Sequence, residues 1–189
     1  MRPLLPALAC ILLSAAPALA APAPGWTVDK AQSRVAFTAA MNGQAFNGTF
    51  RRFDARILFD PANLAGSSVS ATIDMASAVT GDQSRDESLP TADWFAVSSF
   101  PRATFVAKSF KAVGKGRFQA AGTLTIRNVS RPVVLPFQLA ITGNAAAMQG
   151  ALTIDRRWFG VGQGQFAGVE SVAANVTVKI AIKATKAAK

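Results

Sequence analysis

The side chains able to do acid-base or nucleophilic chemistry in this 189-residue chain are ten carboxylates, twenty lysines and arginines, and one cysteine, Cys10. Histidine and tyrosine are absent. Serine–histidine–aspartate and cysteine–histidine nucleophile systems therefore cannot be assembled. Zinc, copper and haem centres lack their usual ligands as well, and no metal site is expected. Paired carboxylates remain as catalytic material, and glycoside hydrolysis needs two of them roughly 5–9.5 Å apart around a sugar cleft. Asp82, Asp86, Glu87 and Asp93 do cluster, but in a loop-and-helix segment whose aromatic neighbours are Trp94 and Phe95. An exposed acidic helix start is the expected reading. Calcium-loop spacing is absent, and no catalytic residue is assigned.

Two arginine–aspartate constellations, Arg85-Asp86 and Asp155-Arg156, are the best polar candidates. An arginine at a cavity rim can hold an anionic or carbonyl head group through paired hydrogen bonds. Such pairs also tie loops to a scaffold, and that structural role is favoured here. Adjacent strand residues point to opposite faces, so Asp155 and Arg156 need not pair with each other. Gly160-Val-Gly162-Gln-Gly164 lacks the lysine–hydroxyl ending of a phosphate loop and sits between strands, so it reads as a turn or bulge.

The elements that must position these groups are strands. Val35, Phe37 and Ala39 alternate with polar or small neighbours, as do Val69, Ala71, Ile73 and Met75. The same period of two puts Gly122, Leu124 and Ile126 on one face, then Val133 to Ile141, then Met148 to Ile154, and finally Val172 to Ile182. Pro136 predicts an edge position or bulge in its strand. Turn signals at Asp60-Pro61, Gly114-Lys115-Gly116 and Gly143-Asn144 separate the runs. Short strands at this spacing indicate an all-β fold, an antiparallel barrel or sandwich. Ser84 to Phe95 breaks the rhythm, and Ser84 with Glu87 predicts a capped short helix. Thirteen phenylalanines facing small residues fill a solid core or line a narrow tunnel; periodicity leaves both open.

The first twenty residues read as a cleaved export signal: Arg2, the apolar run from Leu4 to Leu13, then Ala18-Leu19-Ala20. Ala7-Leu8-Ala9 before Cys10 fits a lipoprotein signal poorly, so Cys10 is expected to leave with the signal. Residues 21–189 form one domain, and a periplasmic location is expected. The formal net charge of +10 is spread over scattered residues and not gathered in a run. Nucleic acid is not an expected partner. A solvated surface is the first reading, and peripheral contact with an anionic membrane the second.

From Trp26 onward the motifs resemble the YceI-like family of exported, lipocalin-like barrels. They begin with Trp26-Thr-Val-Asp29, Ser33-Arg-Val-Ala-Phe37, Gly48-Thr-Phe50 and Phe59-Asp60-Pro61. Next come Ile73-Asp74, Ser77, Thr80, Arg85-Asp86, Leu89, Asp93-Trp94-Phe95 and Phe100-Pro101 with Ala103 and Phe105. Gly122 to Ile126, Arg131-Pro132-Val133, Ile154-Asp155-Arg156 and Phe159-Gly160 follow. The resemblance implies an antiparallel barrel of about eight strands with a short helical insert, binding a polyisoprenoid or other lipid in an apolar tunnel. Trp94-Phe95, Leu135-Pro136-Phe137 and Gly160 to Gly164 are most similar to the branch associated with cytochrome b561-type membrane proteins. Where family members often carry histidines, this chain has Gln32 and Ser88, so no head-group contact through histidine is implied.

The expected function is a non-enzymatic periplasmic carrier or sequestering protein for a long apolar lipid, a polyisoprenoid or isoprenoid quinone. The expected walls are Phe37, Phe59, Ile73, Phe105, Leu124, Phe137, Leu152 and Val178, with Trp94 and Phe95 as a lid. Arg85, Asp86, Asp155 and Arg156 are the rim or head-group candidates. The alternative is an interaction module for a cytochrome b561-type electron-transfer partner, and a hydrolase using the acidic cluster is weaker still.

Overall fold

The structure is a computed structural model and describes residues 23–188. The expected signal segment 1–20, with Cys10, lies outside the described residues. The alternating runs become eleven strands: β1 (Gly25–Val28), β2 (Arg34–Met41), β3 (Gln44–Phe50), β4 (Phe53–Leu58), β5 (Ser68–Asp74), β6 (Ala78–Val79), β7 (Arg102–Gly114), β8 (Arg117–Ile126), β9 (Val129–Thr142), β10 (Ala145–Asp155) and β11 (Asn175–Lys186). Every pairing among them is antiparallel.

Six of these are three bent strands. β1 and β2 lie successively along one edge of β11, while β3 and β4 pair with β2 and β1 in turn. β5 and β6 pair with β4 and β3 in the same way. Counted so, eight rows follow one another up and down, and β11 returns to β1 to close the ring. Closure at this number leaves an interior wide enough for side chains or one small ligand. The bends have polar causes. The Asp29 carboxylate accepts from the Ala31 and Gln32 amides (3.0 and 3.1 Å). Ser77 Oγ donates to Asp74 O (2.6 Å) and accepts from Arg52 N (3.0 Å), pinning two bends together.

Several sequence expectations are corrected at this level. The helix α1 (Gln83–Ser88) is capped by Asp82, which accepts from Arg85 N (3.0 Å), and not by Ser84. Glu87 instead accepts from Gln83 Nε2 (2.8 Å) on the next turn. Met75 does not extend its strand, because Asp74 accepts from Ala76 N (2.9 Å) and starts a 3-10 turn over Met75–Ser77. The last strand begins at Asn175, and Val172 makes an isolated bridge to Met41. Ile141, read as inward, is 39% exposed near the end of β9.

Pro136 lies inside β9, a central strand of the ring, but at the point where pairing with β10 ends, so the expected edge is met on that one side. The β9–β10 ladder runs from Thr142↔Ala145 to Phe137↔Gly150 and stops there, whereas β8–β9 pairing continues to Val129. Leu139 N donates to Gly116 O on the β8 side (2.8 Å). By strand alternation Pro132 and Pro136 therefore turn their nitrogens toward β10, where the ladder is missing and no donor is needed. The two strands part over this half of their length.

Candidate ligand cavity

Inward residues from all eight rows enclose an apolar cavity of about 270 Å³. All ten apolar residues singled out from the sequence line it: Phe37, Phe59, Ile73, Trp94, Phe95, Phe105, Leu124, Phe137, Leu152 and Val178. Of the four polar candidates Arg156 alone reaches the wall; Arg85, Asp86 and Asp155 do not. Sequence reasoning missed Phe46, Phe50, Phe110, Phe159 and Val161. Phe159 ends a 3-10 turn over Arg156–Phe159 and Val161 follows it, where period two gives no signal.

Two aromatic groups bound the cavity. At the end where β7 turns into β8, Phe59 meets Phe110, Phe118 and Phe137 with ring centroids 5.3, 5.4 and 5.8 Å apart. Trp26 Nε1 donates to Phe59 O (2.9 Å), so the one buried polar tip there is satisfied. At the helical end Phe50 bridges Phe37 (5.5 Å) and Phe95 (6.0 Å), and Trp94 packs on Phe166 (5.0 Å). Trp94 and Phe95 thus cover one end from the segment after α1. Gly48 lies under the Phe37 ring, where a Cβ would stand 2.2 Å from Phe37 Cζ.

The cap is held by the polar candidates. Asp86 Oδ1 accepts from Thr80 N (2.6 Å) and Thr80 Oγ1 (2.7 Å). The Thr80 hydroxyl bond chiefly holds its carboxyl below the usual range. Arg85 lies 3.6 Å from Asp82, donates to Thr80 Oγ1 (3.3 Å), and stacks 4.6 Å from the centre of Phe46. Arg127 Nη1 donates to Ala92 O and Trp94 O (2.8 and 2.5 Å), fastening the lid segment to the β8–β9 turn.

Arg156 is 3% exposed. Its Nε donates to Ala173 O (3.1 Å), Nη1 to Val161 O and Gly162 O (2.8 and 3.4 Å), and Nη2 to Gly168 O and Val172 O (2.5 and 2.8 Å). A guanidinium has five N–H groups, and these five carbonyls use them all. Burial lowers its pKa, yet an arginine stays charged. Asp155 instead takes Arg157 in a forked pair (3.0 and 2.6 Å), and that bond holds its carboxyl below the usual range. Arg156 organises residues 161–173 around itself and has no donor left for a head group. Gly162 makes room for it: a Cβ there would fall 2.1 Å from Arg156 Nη1, at φ +82°.

The acidic cluster is dispersed into caps and ties. Asp93 serves through its backbone oxygen, which accepts from Gly162 N and Gln163 N (both 2.8 Å). The site is therefore an apolar container closed by hydrogen-bonded loops.

Residues 26–184 match the YceI-like domain. The chain belongs to the YceI-like family. BcnA of Burkholderia cenocepacia superimposes with a TM-score of 0.81 at 34% identity, covering 84% of this chain and 99% of that one. The Campylobacter jejuni YceI protein gives 0.66 at 26% identity, covering 75% of this chain and 85% of that one. A polyisoprenoid-binding domain from Saccharophagus degradans gives 0.67 at 17% identity, covering 87% and 99%, a likeness of fold. A UPF0312 protein of Pseudomonas syringae pv. tomato is 32% identical over 132 residues, 68% of this chain and 67% of that one. One from Ectopseudomonas mendocina is 41% identical over 88 residues, so the match spans about half of that relative (46%).

Proposed function

We propose that this YceI-like protein is a periplasmic carrier or sequestering protein for an isoprenoid-type apolar lipid, and that it performs no catalysis. The observation that carries the reading is a cavity inside the barrel whose lining is apolar apart from Arg156, itself saturated by backbone carbonyls. Such a space rewards hydrocarbon and offers no group to activate a bond. The polyisoprenoid-binding domain of the same fold supports the choice of ligand class.

Magnitude refines the ligand. An apolar cavity of roughly 150 Å³ accepts benzene, so a cavity of about 270 Å³ holds about a dozen carbons. Burying roughly 300 Å² of such a segment contributes about 7–8 kcal/mol before ordering costs. A longer chain requires rings at one end to rotate or the wall to part. The test is native mass spectrometry and organic extraction of the purified mature protein. A co-purifying isoprenoid lipid or quinone is the expected result. A barrel that arrives empty and refuses apolar dyes and isoprenoid alcohols would overturn the reading and leave the interaction module for a cytochrome b561-type membrane protein.

A further inference from the structure

The charge of the barrel is unevenly placed. The end away from α1 is built from the β7–β8 and β9–β10 turns, the β4–β5 loop, the start of β1 and the end of β11. Register brings the tips together: Leu139 N donates to Gly116 O and Lys186 N to Asn144 O, both 2.8 Å. This end exposes Lys111, Lys115, Arg117 and Lys186. Its acid is Asp60, turned back onto the Ala62 amide (2.9 Å). None of the four basic groups is in an ion pair among the described residues. Between them Val113 and Ile141 stand 42% and 39% exposed at the hairpin tips. At the opposite end the segment 80–101 carries Asp82, Asp86, Glu87 and Asp93 against Arg85, with Arg127 and Arg131 of the adjoining β8–β9 turn beside it, so the two signs are mixed there.

We propose that the β7–β8 and β9–β10 hairpin tips, with the end of β11, dock on an anionic phospholipid bilayer, with the mixed-charge cap facing away. Unpaired cations flanking exposed aliphatic tips match such a surface in both charge and polarity. Lysine stems lie along the apolar layer while their ammonium groups meet phosphates. Directly behind the tips lie Phe59, Phe110 and Phe137, which also line the cavity, so docking sets the cavity's aromatic floor against the bilayer. The docking stands whatever the cavity holds, and its test does not read cavity contents.

The experiment is co-flotation of the mature protein with vesicles of phosphatidylcholine alone or mixed 3:1 with phosphatidylglycerol, at about 0.1 M salt, where the Debye length is about 10 Å. Binding to the anionic vesicles and not to the neutral ones is expected. A variant carrying Lys111→Gln, Lys115→Gln, Arg117→Gln and Lys186→Gln should lose on the order of 10²–10³-fold in affinity, about fivefold per basic residue at the surface. A charge-matched control carrying Arg34→Gln, Arg51→Gln, Arg131→Gln and Lys179→Gln should lose less than about tenfold in total, because those side chains stay beyond roughly a Debye length of the bilayer. Orientation is read separately with Val113→Trp, whose added fluorescence should be quenched by brominated lipid. No binding to anionic vesicles, equal binding to neutral ones, equal losses in the two variants, or an unquenched Val113→Trp would each overturn the proposal.

Discussion

Replacing Arg156 with alanine removes a buried cation and leaves five backbone carbonyls, those of Val161, Gly162, Gly168, Val172 and Ala173, without their donors. A hydrogen bond to a charged group contributes about 1.5–3 kcal/mol net, and relief of the guanidinium's desolvation offsets part of the total. Water entering the vacated space satisfies some of the carbonyls. A buried acceptor left unsatisfied costs about 1–3 kcal/mol, and with water replacing part of the donors we expect a net loss of about 3 kcal/mol. For a chain this size that lowers Tm by about 10 °C. Arg156→Lys should fall between, since an ammonium keeps the charge but has three donors. Calorimetry on lipid-free protein measures the loss, and limited proteolysis should show new cutting within 160–174. Affinity for an isoprenoid alcohol should change much less than stability. A Tm within about 2 °C of the parent, with lipid affinity lost, would refute the structural role and return Arg156 to the ligand.

Leu124→Trp places a larger ring in the cavity; the variant should fold with a Tm near or above that of the empty parent but co-purify with much less lipid. A strongly destabilised protein, as overpacking by about 1–3 kcal/mol would produce, would instead indicate a filled core. Gly48→Ala drives a methyl into the Phe37 ring and should destabilise by about 1–3 kcal/mol, seen in urea titration, while Gly43→Ala, with open space around it, answers only to its φ of +76°. Asp74, Asp86 and Asp155 have folded pKa values below the ordinary 3.8. Their stabilisation is therefore complete above that value and lost as pH falls through the folded pKa. Chemical denaturation from pH 6 downward should show stability falling below about pH 4, and Thr80→Val should weaken the Asp86 share of it.

The barrel was legible in the sequence because its walls obey a single period. Leu124, Leu152 and Val178 come from three strands, yet alternation alone turns each inward, and the resemblance added their order around the ring. The three bent strands were not legible. Ser77 pins residues 25 positions away in the chain, a contact that no local pattern reports. The Arg156 site was half legible: the sequence separates it from Asp155 by strand parity, but its partners are carbonyls, which every residue carries. Gly160 and Gly162, both at positive φ, were the trace of that loop wrapping a side chain.

The parting of β9 from β10 beyond Phe137 and Gly150 gives the barrel a seam. Closed β-barrels are stiff hoops because widening them breaks ladder bonds all along one strand pair. Here half of one pair has none to break, and Pro132 and Pro136 remove two donors that could recruit a second copy to the open edge. The girth of the helical half can therefore vary with its contents while the laced half, around Phe59 and Phe137, keeps its diameter. The amide of Thr153 should exchange with solvent well before those of Ala147 and Gln149, and more slowly once a chain long enough to stretch the seam is bound.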